Sequence, residues 1–108
     1  MAWLKIDDGW YMHPKVRAAG LFGRALWIQA AGWCAQQEND GHVPAHMLGV
    51  LAALAEIPGD EAHNTMQRLV GLGLWHESTS EPGWEFHDWH VYQPKRAALL
   101  ARRRRQEP

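Results

Sequence analysis

The chain has 108 residues, the size of one domain, and its 46% hydrophobic and 21% charged residues are typical of a globular protein. Its single cysteine, Cys34, excludes an internal disulfide and a cysteine-rich zinc site. The net charge of −1 hides an asymmetry: positions 1–94 carry five basic and eleven acidic residues, whereas positions 95–108 carry six basic residues and one acidic residue. A basic tail of this kind is typical of segments that bind nucleic acid or another acidic surface.

The N-terminus and the apolar runs give no sign of a membrane or secreted protein. Met1–Lys5 lacks the basic and then apolar layout of a signal peptide. The longest uncharged runs, 25–37 and 42–55, are shorter than the ~18 apolar residues that a membrane helix needs. We therefore expect a cytoplasmic protein that has no membrane partner.

The N-terminal third of the chain predicts a short strand followed by two helices. Residues Trp3–Ile6 alternate weakly and are rich in strand-forming types. Pro14 suits the first position of a short helix, His13–Ala19, which Gly20 would close. Over Gly23–Gln37 the apolar residues recur at helical spacing and cover almost the whole circumference. We expect this helix to be central, or buried in a dimer contact.

The middle of the chain predicts a minimal strand and two more helices. His42–Pro44 is long enough only for the strand, and Ala45–Ala55 has apolar residues spaced by three and four. A further helix is predicted over Asp60–Leu72, with Asp60 as its N-cap. The residues expected in the core are Met47, Leu48, Leu51 and Leu54 of the first of these helices and Ala62, Met66, Leu69 and Val70 of the second.

A β-hairpin and a basic helix complete the predicted order. The strands Leu74–Glu77 and Trp84–Trp89 flank a turn rich in Ser, Thr, Pro and Gly. Lys95–Arg105 should be helical when it is docked or bound. The order favours an α+β fold, a winged helix-turn-helix that is mainly helical with a small antiparallel β-hairpin wing, over residues 1–94. Residues 95–108 then form a basic C-terminal helix or tail, which could link to a further domain.

Motifs in a fixed order along nearly the whole chain carry a resemblance to a known family. These motifs are Trp3, Lys5, Asp7, His13-Pro14-Lys15-Val16, Ala25-Leu26-Trp27, Asp40-Gly41-His42-Val43-Pro44, Leu69-Val70, Gly73-Leu74-Trp75, His87-Asp88-Trp89 and Tyr92-Gln93-Pro94. The chain resembles the winged-helix N-terminal domains of phage and prophage replication proteins, the replisome organisers and DnaD-like initiators, especially their actinobacterial forms. The resemblance implies DNA replication in a bacterial host cytoplasm, and similar domains are used for self-association.

The outer face of the predicted Asp60–Leu72 helix carries residue types that read DNA bases. Asn64, Gln67 and Arg68 lie at spacings of three and four, so they share one face. Asn and Gln can bond bidentately to adenine, and Arg to guanine, in the major groove. The alternative interpretation is an ordinary solvated polar face.

Two acidic features oppose direct readout of DNA by this part of the chain. Asp60 and Glu61 lie at the helix end where a recognition helix usually meets bases and phosphates. The turn Ser78–Gly83 carries Glu81 and no Lys or Arg. Because a duplex repels carboxylates, the hairpin is poorly equipped as a DNA-binding wing.

The basic tail is better suited to the phosphate backbone. Its cations can neutralise phosphates and release counterions, which gives an affinity that falls with salt and carries no sequence information. The alternatives are a solvated linker and a tail that pairs with the acidic body of a neighbouring molecule. The residues predicted to contact phosphates are Lys95, Arg96, Arg102, Arg103, Arg104 and Arg105.

The sequence offers no catalytic, metal-binding or cofactor-binding pattern. His87 and Asp88 are expected on opposite faces of a strand, where they cannot share one metal ion, and Asp88 is expected to cap backbone N–H groups near the hairpin's end. Cys34 lies on an apolar helix with no activating cation nearby in sequence, so we expect a small core residue. We predict that the protein is not an enzyme and uses no cofactor.

These observations together predict a non-catalytic module that binds DNA and helps to assemble phage or prophage replication proteins. Its expected partners are DNA and other replication or host proteins, and a homodimer is possible. One alternative is a protein–protein module, for homodimerisation or host-factor binding, on the same scaffold. Another is a transcriptional regulator.

Overall fold

The computed structural model describes residues 3–106 and shows an α+β fold with a small antiparallel sheet. Its α-helices are α1 (Pro14–Gln37), α2 (Leu48–Leu54), α3 (Ala62–Gly71), α4 (Trp89–Tyr92) and α5 (Arg96–Gln106), and its strands are β1 (His42–Pro44), β2 (Trp75–Glu77) and β3 (Gly83–Phe86). Single 3₁₀ turns lie at 10–12, 45–47 and 59–61. Within residues 3–106, none of the helices combines the length and the apolar character required to cross a membrane.

Helix α1 is broken at Gly20, the residue predicted to close a short first helix. Pro14 lies in its first turn, and Nδ1 of His13 accepts a hydrogen bond from the Lys15 amide at 3.2 Å. Gly20 has φ 72° and ψ −176°, a conformation that glycine adopts without steric cost. The second helical segment follows directly after Gly20 and therefore begins earlier than the sequence predicts.

The sheet has the strand order β1-β3-β2, with both pairs antiparallel. Val43 pairs with Trp84 and Trp75 pairs with Phe86, so these side chains lie on one face of the sheet. Val43, Trp75 and Phe86 are buried, which identifies this face as the core face. The predicted minimal strand and the predicted hairpin are confirmed.

The hairpin ends earlier than predicted, because the chain turns at Asp88 instead of continuing as a strand to Trp89. Asp88 has φ 55°, in the left-handed region, and Trp89 begins α4. The turn returns the Trp89 ring to the core, where its centroid lies 5.1 Å from that of Phe86. Asp88 makes no side-chain hydrogen bond to the start of α4, so its predicted capping role is wrong.

The predicted N-terminal strand is also wrong, because Trp3–Ile6 has no regular secondary structure. The Lys5 backbone is held instead by the buried side chain of Gln93. The Lys5 amide donates to Oε1 of Gln93 at 3.2 Å, and the Lys5 carbonyl accepts from Nε2 at 2.5 Å. One amide side chain thus satisfies the backbone groups that a neighbouring strand would otherwise satisfy.

The core lies between α1, α2, α3 and the sheet. Its fully buried residues include Leu26, Ala30, Ala31, Cys34, Val43, Leu51, Leu69 and Trp75. The expectation for Leu54 is wrong, since its side chain is 61% exposed. Helix α2 is only seven residues long and turns Leu51 and Ala52 inward, so Leu54 falls on its outer side.

Asp60 does not cap the helix that follows it. Residues 59–61 form a 3₁₀ turn, in which the Glu61 amide donates to the Pro58 carbonyl at 2.9 Å and the Ala62 amide donates to the Gly59 carbonyl. Because backbone carbonyls already satisfy these two amides, the Asp60 carboxylate has no role as their acceptor. Similarly, the predicted Ala45–Ala55 helix begins with a 3₁₀ turn and becomes α-helical at Leu48.

We expect Gly83→Ala to destabilise the fold. Gly83 has φ 141°, and a Cβ atom there would lie 2.2 Å from the Val43 carbonyl oxygen, so it would force β1 away from β3. The free energy of unfolding, measured by urea titration, should fall by about 2–4 kcal/mol.

Gly32→Ala is the matched control for this substitution. Gly32 is exposed on α1, and nothing lies within 4 Å of the position that its Cβ would take. Its substitution should leave stability unchanged or raise it by up to about 1 kcal/mol. A Gly83→Ala protein as stable as the wild type would contradict the β1–β3 register.

Candidate nucleic-acid interface

Helix α3 presents the predicted polar face to solvent. Its inner side holds Ala62, Thr65, Met66 and Leu69, which are buried, while Val70 is half-buried. Its exposed residues include His63, Asn64, Gln67 and Arg68. The helical spacing therefore places Asn64, Gln67 and Arg68 together on one exposed face, as the sequence predicts.

The Arg68 guanidinium is partly engaged within the fold. Its Nη1 lies 3.5 Å from the carbonyl oxygen of Ala19, the last residue before the break in α1. Carbonyls at the end of a helical segment lack an intrahelical partner, so a cation beside them is favourable. Arg68 therefore links α3 to α1, and within residues 3–106 Asn64 and Gln67 make no side-chain hydrogen bond that would restrain them similarly.

The acidic residues before α3 lie on the molecular surface. Asp60 is exposed and Glu61 is half-buried, and both belong to the 3₁₀ turn that leads into the helix. Their carboxylates are at the end of α3 that commonly approaches phosphates in recognition helices. This end of the helix is therefore electrostatically unfavourable for DNA contact.

The hairpin turn is closed by its own backbone and by a serine side chain. The Ser78 amide donates to the Gly83 carbonyl at 3.0 Å, and Oγ of Ser78 accepts from the amides of Ser80 and Glu81 at 3.4 Å. A Glu81 carboxylate oxygen lies 3.7 Å from Nε2 of His42. The only formally charged side chain in this turn is thus acidic, which makes the hairpin tip a poor phosphate contact.

The basic helix α5 is docked on the C-terminal end of α1 through charged groups. The Arg96 amide donates to Oδ1 of Asp40 at 2.8 Å, and Nη1 of Arg96 donates to the Glu38 carbonyl at 3.2 Å. The Arg103 guanidinium forms an ion pair with the Glu38 carboxylate. Two of the six predicted phosphate contacts are therefore engaged by acidic or carbonyl oxygens of the same chain.

The remaining cations of the tail lie on the surface. Lys95, Arg102, Arg104 and Arg105 are exposed. Within residues 3–106 none of them has a carboxylate oxygen within the 4.0 Å that defines an ion pair. These four side chains can bind an external anion without first breaking a contact with a carboxylate of residues 3–106, in contrast to Arg103.

Glu38 and Asp40 are the residues of this interface that the sequence reasoning missed. The signal for them was the charge asymmetry, which predicts that a basic tail can pair with an acidic body. The sequence offers that pairing only as one alternative, between neighbouring molecules, whereas in the structure it occurs within one chain.

The end of the hairpin brings two histidines and an aspartate together. Nε2 of His76 lies 2.7 Å from Nδ1 of His87, and Nε2 of His87 lies 3.2 Å from Oδ2 of Asp88. The expectation that His87 and Asp88 point apart is therefore wrong, because Asp88 lies in the left-handed turn and not in a strand. The three exposed groups lie in a row, in which Nδ1 of His87 is hydrogen-bonded to His76 and Nε2 of His87 lies beside the Asp88 carboxylate. Residues 3–106 contain no group of three or more side chains arranged to hold a metal ion.

A cavity of about 520 Å³ lies between the N-terminal segment, α1 and the hairpin. Its lining includes the rings of Trp10, Trp27, Phe86 and Trp89 and the side chains of Lys5 and Lys15. This volume is in the range of small-molecule sites. The lining also includes the titratable residues Asp7, His13, His87 and Asp88, so the cavity combines aromatic rings with polar and charged groups.

Cys34 is a buried core residue, as predicted. Its Sγ donates to the His42 carbonyl at 3.3 Å. Burial raises the pKa of the thiol from its usual value near 9 to about 12, although a hydrogen bond with Asn39 acts in the opposite direction. At neutral pH the side chain is therefore a neutral thiol, which is a weak nucleophile.

We expect Cys34 to resist alkylation in the folded protein and to react readily once the chain is unfolded. At about pH 8 the unfolded thiol is partly ionised, whereas the buried thiol is not. Because the folded pKa is the higher one, the thiol's contribution to stability is fully present below pH 9 and is lost progressively as the pH rises towards about 12. Reaction with iodoacetamide, followed by mass spectrometry with and without urea, measures the difference. Equal alkylation rates in the two states would contradict the burial of Cys34.

Comparisons of the chain with protein-family models, with curated proteins and with solved structures give no match.

Proposed function

We propose that the chain is a non-catalytic nucleic-acid-binding module with a winged helix-turn-helix topology. The element order α1-β1-α2-α3-β2-β3 and the sheet order β1-β3-β2 support this topology. Helix α3 then takes the position of the recognition helix, and the β2–β3 hairpin takes that of the wing. A role in the assembly of phage or prophage replication proteins is supported by the motif resemblance.

The single observation that carries the proposal is the set of free cations on α5 and at the residue that precedes it. Lys95, Arg102, Arg104 and Arg105 are exposed and have no carboxylate partner within residues 3–106. Arginine presents a planar fork of donors that matches phosphate oxygens. Because each neutralised phosphate releases counterions, these side chains can supply most of a salt-dependent affinity.

Helix α3 contributes a second kind of contact in this proposal. Asn64 and Gln67 are exposed and carry the amide groups that pair with adenine. Arg68 can reach a base edge only by leaving the Ala19 carbonyl. Sequence preference therefore rests mainly on the two amides, and affinity rests mainly on α5.

The proposal predicts that DNA affinity depends on α5. The triple variant Arg102→Gln/Arg104→Gln/Arg105→Gln keeps Arg103, so it leaves the ion pair with Glu38 in place. Its affinity for a random DNA duplex should fall at least about tenfold at about 0.1 M salt, and the slope of log affinity against log salt should become shallower by about 2 to 3. Fluorescence anisotropy titrations at two salt concentrations measure both quantities.

Two further variants complete that experiment. Arg17→Gln removes one exposed cation from α1, and it should change the affinity little. Asn64→Ala/Gln67→Ala should weaken a site selected from random duplexes more than it weakens random DNA. If the triple variant binds in low salt as tightly as the wild type, the tail is not the source of affinity and the proposal fails.

A second candidate function, homodimerisation, is supported by an exposed apolar stripe on α1. Leu21 is 71% exposed and Ile28 is 38% exposed, and their spacing of seven residues places them on one face. Gly32, four residues further on, is also exposed and permits close approach of a second helix. Such a stripe on a long helix is typical of a helix–helix contact between protomers.

This candidate predicts that the oligomeric state depends on Leu21. The wild type should form a dimer in light scattering, and Leu21→Glu should be monomeric at the same concentration because the interface would bury an unpaired carboxylate. Thr79→Glu places the same charge on the exposed hairpin turn and should leave the dimer intact. A wild-type chain that remains monomeric at high concentration would exclude this candidate.

A further inference from the structure

Glu38 is a buried carboxylate at the C-terminal end of α1. The residue is 8% exposed, and its backbone has φ 54° and ψ 44°, the left-handed conformation that ends the helix. An ionised carboxylate removed from water requires a cation or hydrogen-bond donors as partners. The other carboxylate near this helix end, that of Asp40, is exposed. The end of α1 thus carries a small acidic surface, Glu38 and Asp40, in which the buried Glu38 carboxylate needs a basic partner.

Helix α5 supplies that partner through three contacts. Arg103 pairs with the Glu38 carboxylate, and Arg96 donates its guanidinium to the Glu38 carbonyl and its backbone amide to Asp40. Arg96 is the first residue of α5, so the Asp40 carboxylate also lies at the positive end of that helix. The contacts join residues 56 to 65 positions apart in the chain and fix where α5 lies.

Few apolar contacts reinforce this docking. Helix α5 contains no buried residue, and its Leu99 and Leu100 are only half-buried. Leu99 lines a cleft of about 300 Å³ together with Glu38, Asp40 and Arg102. The Arg103 side chain is 56% exposed, so solvent ions reach the ion pair. The position of α5 therefore depends mainly on charge, and a competing polyanion can displace it.

We propose that Glu38 and Asp40 act as an internal substitute for phosphate, which holds α5 in a docked state and withholds Arg96 and Arg103 from nucleic acid. In the released state, all six cations of the tail face outward. This inference rests on the proposed function only in naming nucleic acid as the polyanion that displaces α5. The docking of α5 on Glu38 and Asp40 is a separate property of the chain. Nucleic acid releases α5 by offering several phosphates in place of two carboxylates.

Glu38→Gln tests whether the Glu38 carboxylate keeps α5 docked, and it leaves all six cations of the tail in place. The amide keeps the shape of the side chain but loses the charge that pairs with Arg103. A helix of this length is marginal alone, so its release should expose the bonds after the tail arginines to protease. We expect limited trypsin digestion at 95–106 to be at least about threefold faster than in the wild type. Glu56→Gln removes the same charge from an exposed residue outside this surface and should leave the digestion rate unchanged.

DNA binding by the same variants measures the consequence of release. Glu38→Gln should bind a short random duplex about three- to tenfold more tightly, with a salt slope steeper by about 1 to 2. Arg103→Gln should digest as quickly as Glu38→Gln, but it should gain less affinity, because its release of α5 frees Arg96 alone. Circular dichroism and thermal unfolding establish that each variant retains the fold.

The outcomes separate this inference from the proposed function. If a folded Glu38→Gln chain is digested at the wild-type rate, Glu38 does not hold α5 in the docked state. Faster digestion with unchanged DNA affinity, in a chain whose wild type binds DNA, would overturn the competition. If neither the wild type nor the variants bind DNA, and Glu38→Gln is still digested faster, the docking of α5 by Glu38 and Asp40 is supported and the proposed function is overturned.

Discussion

The contact of Phe86 with Trp27 and Trp89 determines how the second half of the chain is arranged. The Phe86 ring centroid lies 5.4 Å from that of Trp27 on α1 and 5.1 Å from that of Trp89 on α4. Burying each of these rings stabilises the fold by about 1.5–3 kcal/mol, and pairs in this geometry add to that. Because both Phe86 and Trp89 must be inside, the chain between them has to turn sharply, and Asp88 takes the left-handed conformation.

The turn at Asp88 affects both the surface of the hairpin and the path of the chain that follows it. It places the His87 and Asp88 side chains together on the surface, where a continuous strand would have separated them. After the turn, α4 brings Gln93 into a buried position, and Gln93 holds the N-terminal segment through Lys5. Pro94 then directs the chain towards the end of α1, where Arg96 meets Asp40. The aromatic contact thus positions the hairpin and α4, while the contacts with Glu38 and Asp40 fix α5.

The sequence predicts well those features that depend on neighbouring residues. The break at Gly20, the strand His42–Pro44 and the two faces of α3 follow from conformational preference and side-chain spacing. The features that it misses depend on contacts between distant residues. Lys5 pairs with a side chain 88 positions away, which removes the need for a strand, and the turn at Asp88 exists because Trp89 packs on Phe86.

The same distinction applies to the candidate site. The exposure of Asn64 and Gln67 follows from helical spacing, so the sequence predicts it. The engagement of Arg68 with Ala19, and of Arg103 with Glu38, spans 49 and 65 positions. No local pattern identifies such a partner. The excess of acid in the body and of base in the tail indicates only that the tail can pair with an acidic surface, and it does not distinguish the same chain from a neighbouring one.

In the function that we propose, the distribution of acidic residues restricts how a duplex approaches the chain. Carboxylates at the start of α3 and in the hairpin turn repel phosphates, so these surfaces act against incorrect orientations. In the same proposal, the exposed cations of α5 attract the phosphate backbone from elsewhere on the molecule. The hairpin contributes its buried Trp75 and Phe86 to the core, while its exposed turn offers no cation. It therefore stabilises the domain, and the DNA contacts that we propose belong to α5 and to the amides of α3.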